Sequence, residues 1–341
     1  MFKNNATKTE AMDPTLHRLI QDITVQPTAS DTRFFVKPIP QFDRHFAGYN
    51  AQGCPSILLS SIDHAFRAPL QLTGAEVRYC IPCQFTLPDQ RTLEQPLTQL
   101  ICTSNVTSEK EYFLHIASTI IEVLGNAPTI GAIADAVSRL VDILQRLTRP
   151  PAKNLIGLYG EVLFILNSSN PDVAMQGWRS RVDDRFDFSM DSVRLDVKAT
   201  ARRTRLHSFS LEQCLPVPGA TTAIASMFVE SSGGGKSLRD LIQALFGRLT
   251  TAEARLRVQQ IVADTLGSAL LTSLDMRFDN LLATNSLRIF DAADIPAIRS
   301  AVPPQVSAVK FQSDLTEAPA LDPAELACAS ALWRAILPTF S

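Results

Sequence analysis

Three side chains near the middle of the chain could together do chemistry on a phosphoryl group: Asp187, in the run Arg185-Phe186-Asp187-Phe188, and Asp196 with Lys198, in the run Val193 to Lys198. The second run alternates as a strand, with Val193, Leu195 and Val197 on one face and Arg194, Asp196 and Lys198 on the other. A turn over Met190 to Ser192 would fold the first run back beside it as a hairpin and bring Asp187 towards Asp196. Two carboxylates at close range repel unless a cation lies between them. Hard oxygen ligands, few in number and with room for water and phosphate, suit Mg2+ better than zinc or a closed calcium cage. Lys198 would then orient or deprotonate a water for attack on phosphorus.

Such a hairpin needs elements to hold it. Pro150-Pro151 breaks the chain and introduces a helix from about Lys153 to Asn167. Gly157 and Gly160 are poor helix residues, costing roughly 1 kcal/mol each relative to Ala, so a close approach to a sheet is the expected compensation. Glu161 sits one turn after Gly157 on that tight face, among Leu, Val and Phe. Taken alone it reads equally well as a surface glutamate, since burying it unpaired is expensive. Together with Asp187 and Asp196 it becomes a third acidic residue. Downstream, Leu206 to Leu211 reads as a third strand with His207 and Phe209 on one face and Ser208 and Ser210 on the other, and Glu212 and Gln213 open a short helix.

The order Glu161, Asp187, Asp196-x-Lys198 resembles the PD-(D/E)XK nuclease superfamily, with Phe186 where the nominal proline stands and Asp in the D/E slot. More narrowly, the run GLYGEVLFIL, Trp178, Asp187-Phe188, LDVKAT and HSFSLEQ are similar to a bacterial family of PD-(D/E)XK proteins whose members tend to be encoded beside restriction-modification and phage-defence components. The resemblance covers nearly the whole chain, and its specific motifs lie between Gly157 and Gln213. It implies a restriction-endonuclease-like α/β fold with a mixed sheet and a Mg2+-dependent DNA endonuclease, with Mn2+ as a substitute. In that reading Asp187, Asp196 and the Val197 carbonyl hold the ion, Glu161 reaches it directly or through water, and Lys198 positions the nucleophilic water. Gln213 would position Lys198 or that water, and His207 and Ser208 would stand at the rim facing substrate. For His207 alone, a structurally hydrogen-bonded histidine is an equal reading.

Charge is concentrated around the same stretch. The net charge is -2, so no global basic field advertises a nucleic-acid binder. Locally, Arg179, Arg181, Arg185, Arg194, Arg202, Arg203 and Arg205 gather in a short interval. They could be a solvated face balanced by Asp183, Asp184 and Asp191. Beside a phosphodiesterase site, phosphate steering is the better reading, with Arg202, Arg203 and Arg205 as substrate contacts.

At 341 residues and 45% hydrophobic the chain can bury a large core and form two domains. We expect a β-rich module over 1–105, a helical connector over 106–150, the catalytic α/β core over 151–300, and a strand and helix over 301–341 packed on that core. In the first module Arg33 to Val36, Ser56 to Ser60, Glu76 to Tyr79, Gln84 to Leu87 and Leu97 to Thr103 read as strands. Ser108 to Leu124, with Ser108 as N-cap and Gly125 as stop, and Thr129 to Leu147 carry apolar stripes at helical spacing. The remainder reads as helices over Leu238 to Leu245, Thr251 to Leu266 and Pro323 to Leu337, with strands over Thr222 to Glu230, Leu287 to Phe290 and Ala308 to Leu315.

Two short motifs carry less. Cys80-Ile81-Pro82-Cys83 stands alone as a CxxC, with Cys54 and His64 as the conceivable further ligands, and its strand-like flanks favour two half-buried cysteines over a zinc knuckle. Gly233-Gly234-Gly235-Lys236-Ser237 tempts towards a phosphate-binding loop, but Glu230 occupies the first glycine position of that pattern, and a strand-to-helix turn is the simpler reading. Six scattered cysteines, no apolar leader and no run long enough to span a bilayer point to a cytoplasmic protein with no membrane partner. DNA and defence-system proteins are the expected partners, and a homodimer would permit double-strand cleavage. The rival readings are a docking or DNA-recognition subunit without activity and a junction or repair nuclease on the same core.

Overall fold

A computed structural model describes residues 16–25, 33–72, 74–152, 154–180, 185–215, 217–299, 302–303 and 305–339. Arg181, Asp183, Asp184 and Lys153, named above, lie outside the described residues. The chain divides into two compact units, 1–149 with 255–260, and 150–254 with 261–341.

The first unit begins with helix α1 (Leu16–Ile20) and strands β1 (Arg33–Ile39), β2 (Phe42–Asn50), β3 (Pro55–Leu59), β4 (Leu70–Leu72), β5 (Ala75–Thr86) and β6 (Thr92–Cys102). The sheet runs β1-β2-β3-β6-β5-β4, and β1 also pairs in parallel with β5, so five strands close on themselves and β4 hangs at the rim. Closure leaves the ring without an open edge. Inward-facing Phe34, Val36, Phe46, Leu58, Cys83, Phe85, Leu97 and Ile101 form one buried cluster. The two runs expected as separate strands on either side of the CxxC are one strand, β5, with a register shift between Arg78 and Ile81 and a positive φ of 45° at Cys80. Cys83 is buried and His64 Nδ1 lies 3.1 Å from Cys80 Sγ. Helices α2 (Thr107–Leu124) and α3 (Ile130–Arg146) follow. Gly125 ends α2 at φ 65°, and Thr129 caps α3 by accepting from Ala132 N. The N-cap of α2 is Val106 rather than Ser108.

The second unit holds α4 (Leu155–Asn167), α5 (Pro171–Gly177), β7 (Phe188–Met190), β8 (Val193–Thr200), β9 (Leu206–Ser210), a 3-10 turn over Leu211–Cys214, β10 (Thr221–Phe228), β11 (Ser231–Ser237) and α6 (Leu238–Arg248). Helix α7 (Ala252–Leu266) contributes residues to both units. Then come α8 (Leu270–Ser273), β12 (Arg277–Phe278), α9 (Asn280–Asn285), β13 (Arg288–Asp291), β14 (Lys310–Asp314), α10 (Pro323–Ala329) and α11 (Ala331–Ile336). The central sheet is mixed, in the order β13-β10-β8-β7, with β8 and β10 parallel and the outer pairings antiparallel. This is the α/β architecture expected of a restriction-endonuclease-like core.

Three local expectations change. The strand β9 does not join the central sheet but pairs with β14 over His207↔Ser313 and Phe209↔Phe311. The glycine run is not a turn but the bulged strand β11 on β12, and a Cβ at Gly235 would stand 1.9 Å from Phe278 O. The closing helix breaks at Ser330, an extended residue (φ -157°) between α10 and α11.

Candidate functional site

The hairpin forms as alternation requires. Phe188 pairs with Leu195, Ser189 with Arg194 and Met190 with Val193, so Asp187, the residue before β7, stands at the end of the ladder where β8 continues into Asp196. Val193, Leu195 and Val197 are buried under the sheet, which commits Arg194, Asp196 and Lys198 to the opposite face. Asp187 Oδ2 accepts from Val197 N at 2.9 Å, tying the loop carboxylate to the neighbouring strand. Both aspartates are nearly enclosed, at 7% and 3% exposure.

Lys198 folds back to Asp196, with Nζ 2.8 Å from Oδ2. Gln213, projecting from the 3-10 turn, joins the two: its Nε2 donates to Asp196 Oδ1 at 2.9 Å, and its Oε1 lies 3.4 Å from Lys198 Nζ. The same side chain is fixed from behind by Ser210 N at 3.0 Å and by the Arg185 carbonyl at 2.9 Å. Burial pulls the Lys198 ammonium down, but the charge and hydrogen bond of Asp196, with Asp187 behind it, outweigh burial and leave it above the usual lysine value. An amine held in that state is a donor of positive charge and hydrogen bonds, the form that the orienting role of Lys198 uses.

Glu161 is 2% exposed on α4. Its carboxylate accepts from Trp178 Nε1 and from Arg179 Nη2, each at 2.7 Å, so the metal shell expected for it is replaced by a buried ion pair and an indole. Arg179 has a positive φ of 45°, and its backbone N donates to the Asp187 carbonyl at 2.7 Å. Glu161 therefore bears on Asp187 through the Trp178-Arg179 step. Sequence reasoning missed this pairing, although the cost of an unpaired buried glutamate called for a cation and Arg179 lies beside the one nearby tryptophan. Gly160, as expected, allows the helix close approach: a Cβ there would meet Ala199 Cβ at 2.9 Å and Met227 Sδ at 3.4 Å. Gly157 does not serve that purpose. It stands in the first turn, where its N–H donates to the Asn154 cap at 2.9 Å.

The remaining expected contacts separate. Arg205, expected to face substrate, is buried: it donates to Ser226 O and Oγ at 2.8 Å and to Ser286 O, and stacks over Phe228 and Phe290. Burial, with Arg288 nearby, lowers its guanidinium to about 10. It is a strut of the core rather than a phosphate contact. His207 is likewise enclosed, with Nε2 2.8 Å from Ser226 Oγ, and burial together with Lys198 and Arg205 pushes it down to about 4. The histidine is thus neutral and structural. Ser208 faces outwards on β9, and Arg202 and Arg203 are exposed in the bend after β8, Arg203 paired with Glu230 at 2.7 Å.

Among the described residues no three His, Cys, Asp or Glu side chains group closely enough to hold a metal ion. Asp187 and Asp196 remain, and one or two carboxylates are the donor set that Mg2+ commonly takes from a protein. Among the described residues Glu161 is paired with Arg179 and Asp196 with Lys198. The residues present fit the ion, with two carboxylates rather than three.

A family model described as "Putative PD-(D/E)XK family member, (DUF4420)" matches residues 30–316. The chain belongs to this family. No curated protein and no solved structure matches it. Residues 30–316 include the whole stretch that carries Glu161, Asp187, Asp196 and Lys198. No helix among the described residues is long and apolar enough to cross a membrane.

Proposed function

We propose that this PD-(D/E)XK protein is a Mg2+-dependent endonuclease that hydrolyses DNA phosphodiester bonds in the cytoplasm, in restriction or anti-phage defence. The observation that carries the reading is the β7–β8 hairpin, where buried Asp187 accepts from Val197 N, the residue after buried Asp196, and the Lys198 ammonium lies 2.8 Å from Asp196. Asp187, Asp196 and the Val197 carbonyl would hold the ion. When bound, Mg2+ supplies charge neutralisation at a phosphoryl oxygen and acidification of a water. Lys198, kept cationic, orients that water and offsets charge developing on the phosphate. Gln213 fixes the Lys198 and Asp196 side chains relative to one another, and Glu161 acts at one remove by holding Arg179 against Asp187.

The test is cleavage of supercoiled plasmid and phage DNA with Mg2+ or Mn2+, beside Asp196→Asn and an EDTA control. Nicking or linearisation that disappears in both controls is expected, and cleavage that survives both would overturn the reading. The net charge of -2 favours a second possibility, a subunit that relies on partner proteins for its grip on DNA. In that case the purified protein binds Mg2+ by calorimetry and cleaves only when the partners are added. Linearisation without a nicked intermediate would indicate a homodimer, and preference for branched over linear DNA would indicate a junction or repair nuclease.

A further inference from the structure

The arginines near the site do not act together. Arg179 and Arg205 are taken inside the protein by Glu161 and by the Ser226 and Ser286 carbonyls. Arg185 and Arg194 instead line one cavity of about 640 Å3, with Ser180, Ser189 and Asp191 at its walls. This cavity continues the face that carries the carboxylates. Ser189 and Arg194 are register partners, and each is two residues along its own strand from Asp187 and Asp196, on the same side of the hairpin. Two residues of strand span about 7 Å.

We infer that this cavity binds a DNA backbone phosphodiester that flanks the one held at Asp187 and Asp196. Arg194 is shaped for it. Its Nη1 is turned back onto the Asp191 and Val193 carbonyls at 2.9 and 2.7 Å, which pins the guanidinium plane, while Nε and Nη2 have no protein acceptor among the described residues. Arg185 is braced similarly, by Glu212 O at 3.1 Å and by the Phe186 ring 5.0 Å away. Among the described lining residues, two guanidinium groups stand against the Asp191 carboxylate, a balance that favours an anion. The cavity and the carboxylate pair are mechanically one piece, because Gln213 holds both the Arg185 carbonyl and Asp196.

The inference rests on the DNA reading above, and the experiment separates the two. Binding of a short fluorescein-labelled duplex is followed by anisotropy in EDTA, where no cleavage occurs, over a series of salt concentrations. Arg185→Ala and Ser189→Asp should each weaken binding about three- to tenfold, and Arg185→Ala should flatten the plot of log affinity against log salt by about one unit of slope. Arg194→Ala should do the same, but its Nη1 braces the turn. Arg185→Ala and Ser189→Asp therefore decide the matter if that variant fails to fold. Unchanged affinity and slope in those two variants, with a wild-type protein that binds DNA, overturn the cavity assignment alone. A wild-type protein that binds no DNA at all overturns this inference and, with it, the reading of the protein as a nuclease that acts on DNA without partners.

Discussion

Gln213 Nε2 donates to Asp196 Oδ1 at 2.9 Å, while the oxygen of the same amide faces the Lys198 ammonium at 3.4 Å. One neutral side chain thus complements an anion and a cation at once, because an amide carries a donor and an acceptor end. Gln213→Ala should lower kcat by about tenfold or more, the loss of about 1.4 kcal/mol or more of transition-state stabilisation, with a small change in KM. Gln213→Glu should be worse than Gln213→Ala, because it sets a second carboxylate against Asp196. The check is steady-state cleavage of a labelled duplex. A Gln213→Ala enzyme with unaltered kcat would remove the positioning role.

Glu161 and Arg179 form a buried pair at 2.7 Å, with side-chain exposures of 3% and 17%. Removing one partner of such a pair strands the other, at a cost of about 3–5 kcal/mol. Glu161→Ala and Arg179→Ala should therefore both lower the denaturant midpoint strongly. The double substitution to Gln and Met should recover much of the loss. Calorimetry on the folded fraction of Glu161→Gln should give Mg2+ affinity close to wild type, since its oxygens serve Trp178 and Arg179. A large loss of Mg2+ affinity with unchanged stability would return Glu161 to the metal shell.

The site was legible in the sequence where local chemistry decides and illegible where partners do. Strict alternation over Val193 to Lys198 fixed which side chains share a face, because a strand has no other way to place them. The end of α2 at Gly125 followed from a single residue. The partner of β9 could not be read, because β14 arrives from about a hundred residues downstream. Strand β2 was missed: Phe42 to Asn50 carries Asp43, Arg44, His45 and Asn50, and His45 is buried only because Gly125 O, far along the chain, takes its Nε2 at 2.8 Å. The same holds for Arg205, which is charged and therefore reads as a surface residue until Ser226, Ser286, Phe228 and Phe290 close around it.

The two glycines of α4 should respond oppositely to alanine. At Gly157 the nearest atom to an added Cβ is Asn154 Oδ1 at 3.7 Å, so Gly157→Ala should stabilise by up to about 1 kcal/mol through helix propensity. At Gly160 the same propensity gain is overtaken by Ala199 Cβ at 2.9 Å and Met227 Sδ at 3.4 Å, which force the helix off β8 and β10. Overpacking of this kind costs about 1–3 kcal/mol, and because β8 carries Asp196 and Lys198, activity should fall with stability. Urea midpoints of the two variants would test the pair, and destabilisation at Gly157 or stabilisation at Gly160 would contradict the packing described.

His207 sets an acid limit on stability. Ser226 Oγ accepts from Arg205 Nη1 and so can give its own proton to His207 Nε2, an arrangement open to the neutral ring and closed to the imidazolium. Burial, then the charges of Lys198 and Arg205, hold the folded-state value at about 4 against an ordinary 6.5, with Asp314 opposing. Because the folded value is the lower one, the unfolded chain binds more protons throughout that window. The contribution of the neutral histidine is fully present above about pH 6.5 and is lost as pH falls towards about 4. The whole window is worth at most about 3 kcal/mol. His207→Gln keeps an acceptor for Ser226 and cannot titrate, so its stability should fall less steeply between neutral and mildly acidic pH. Urea unfolding of the two proteins at matched pH values measures this directly, and parallel pH profiles would show that His207 carries no such penalty.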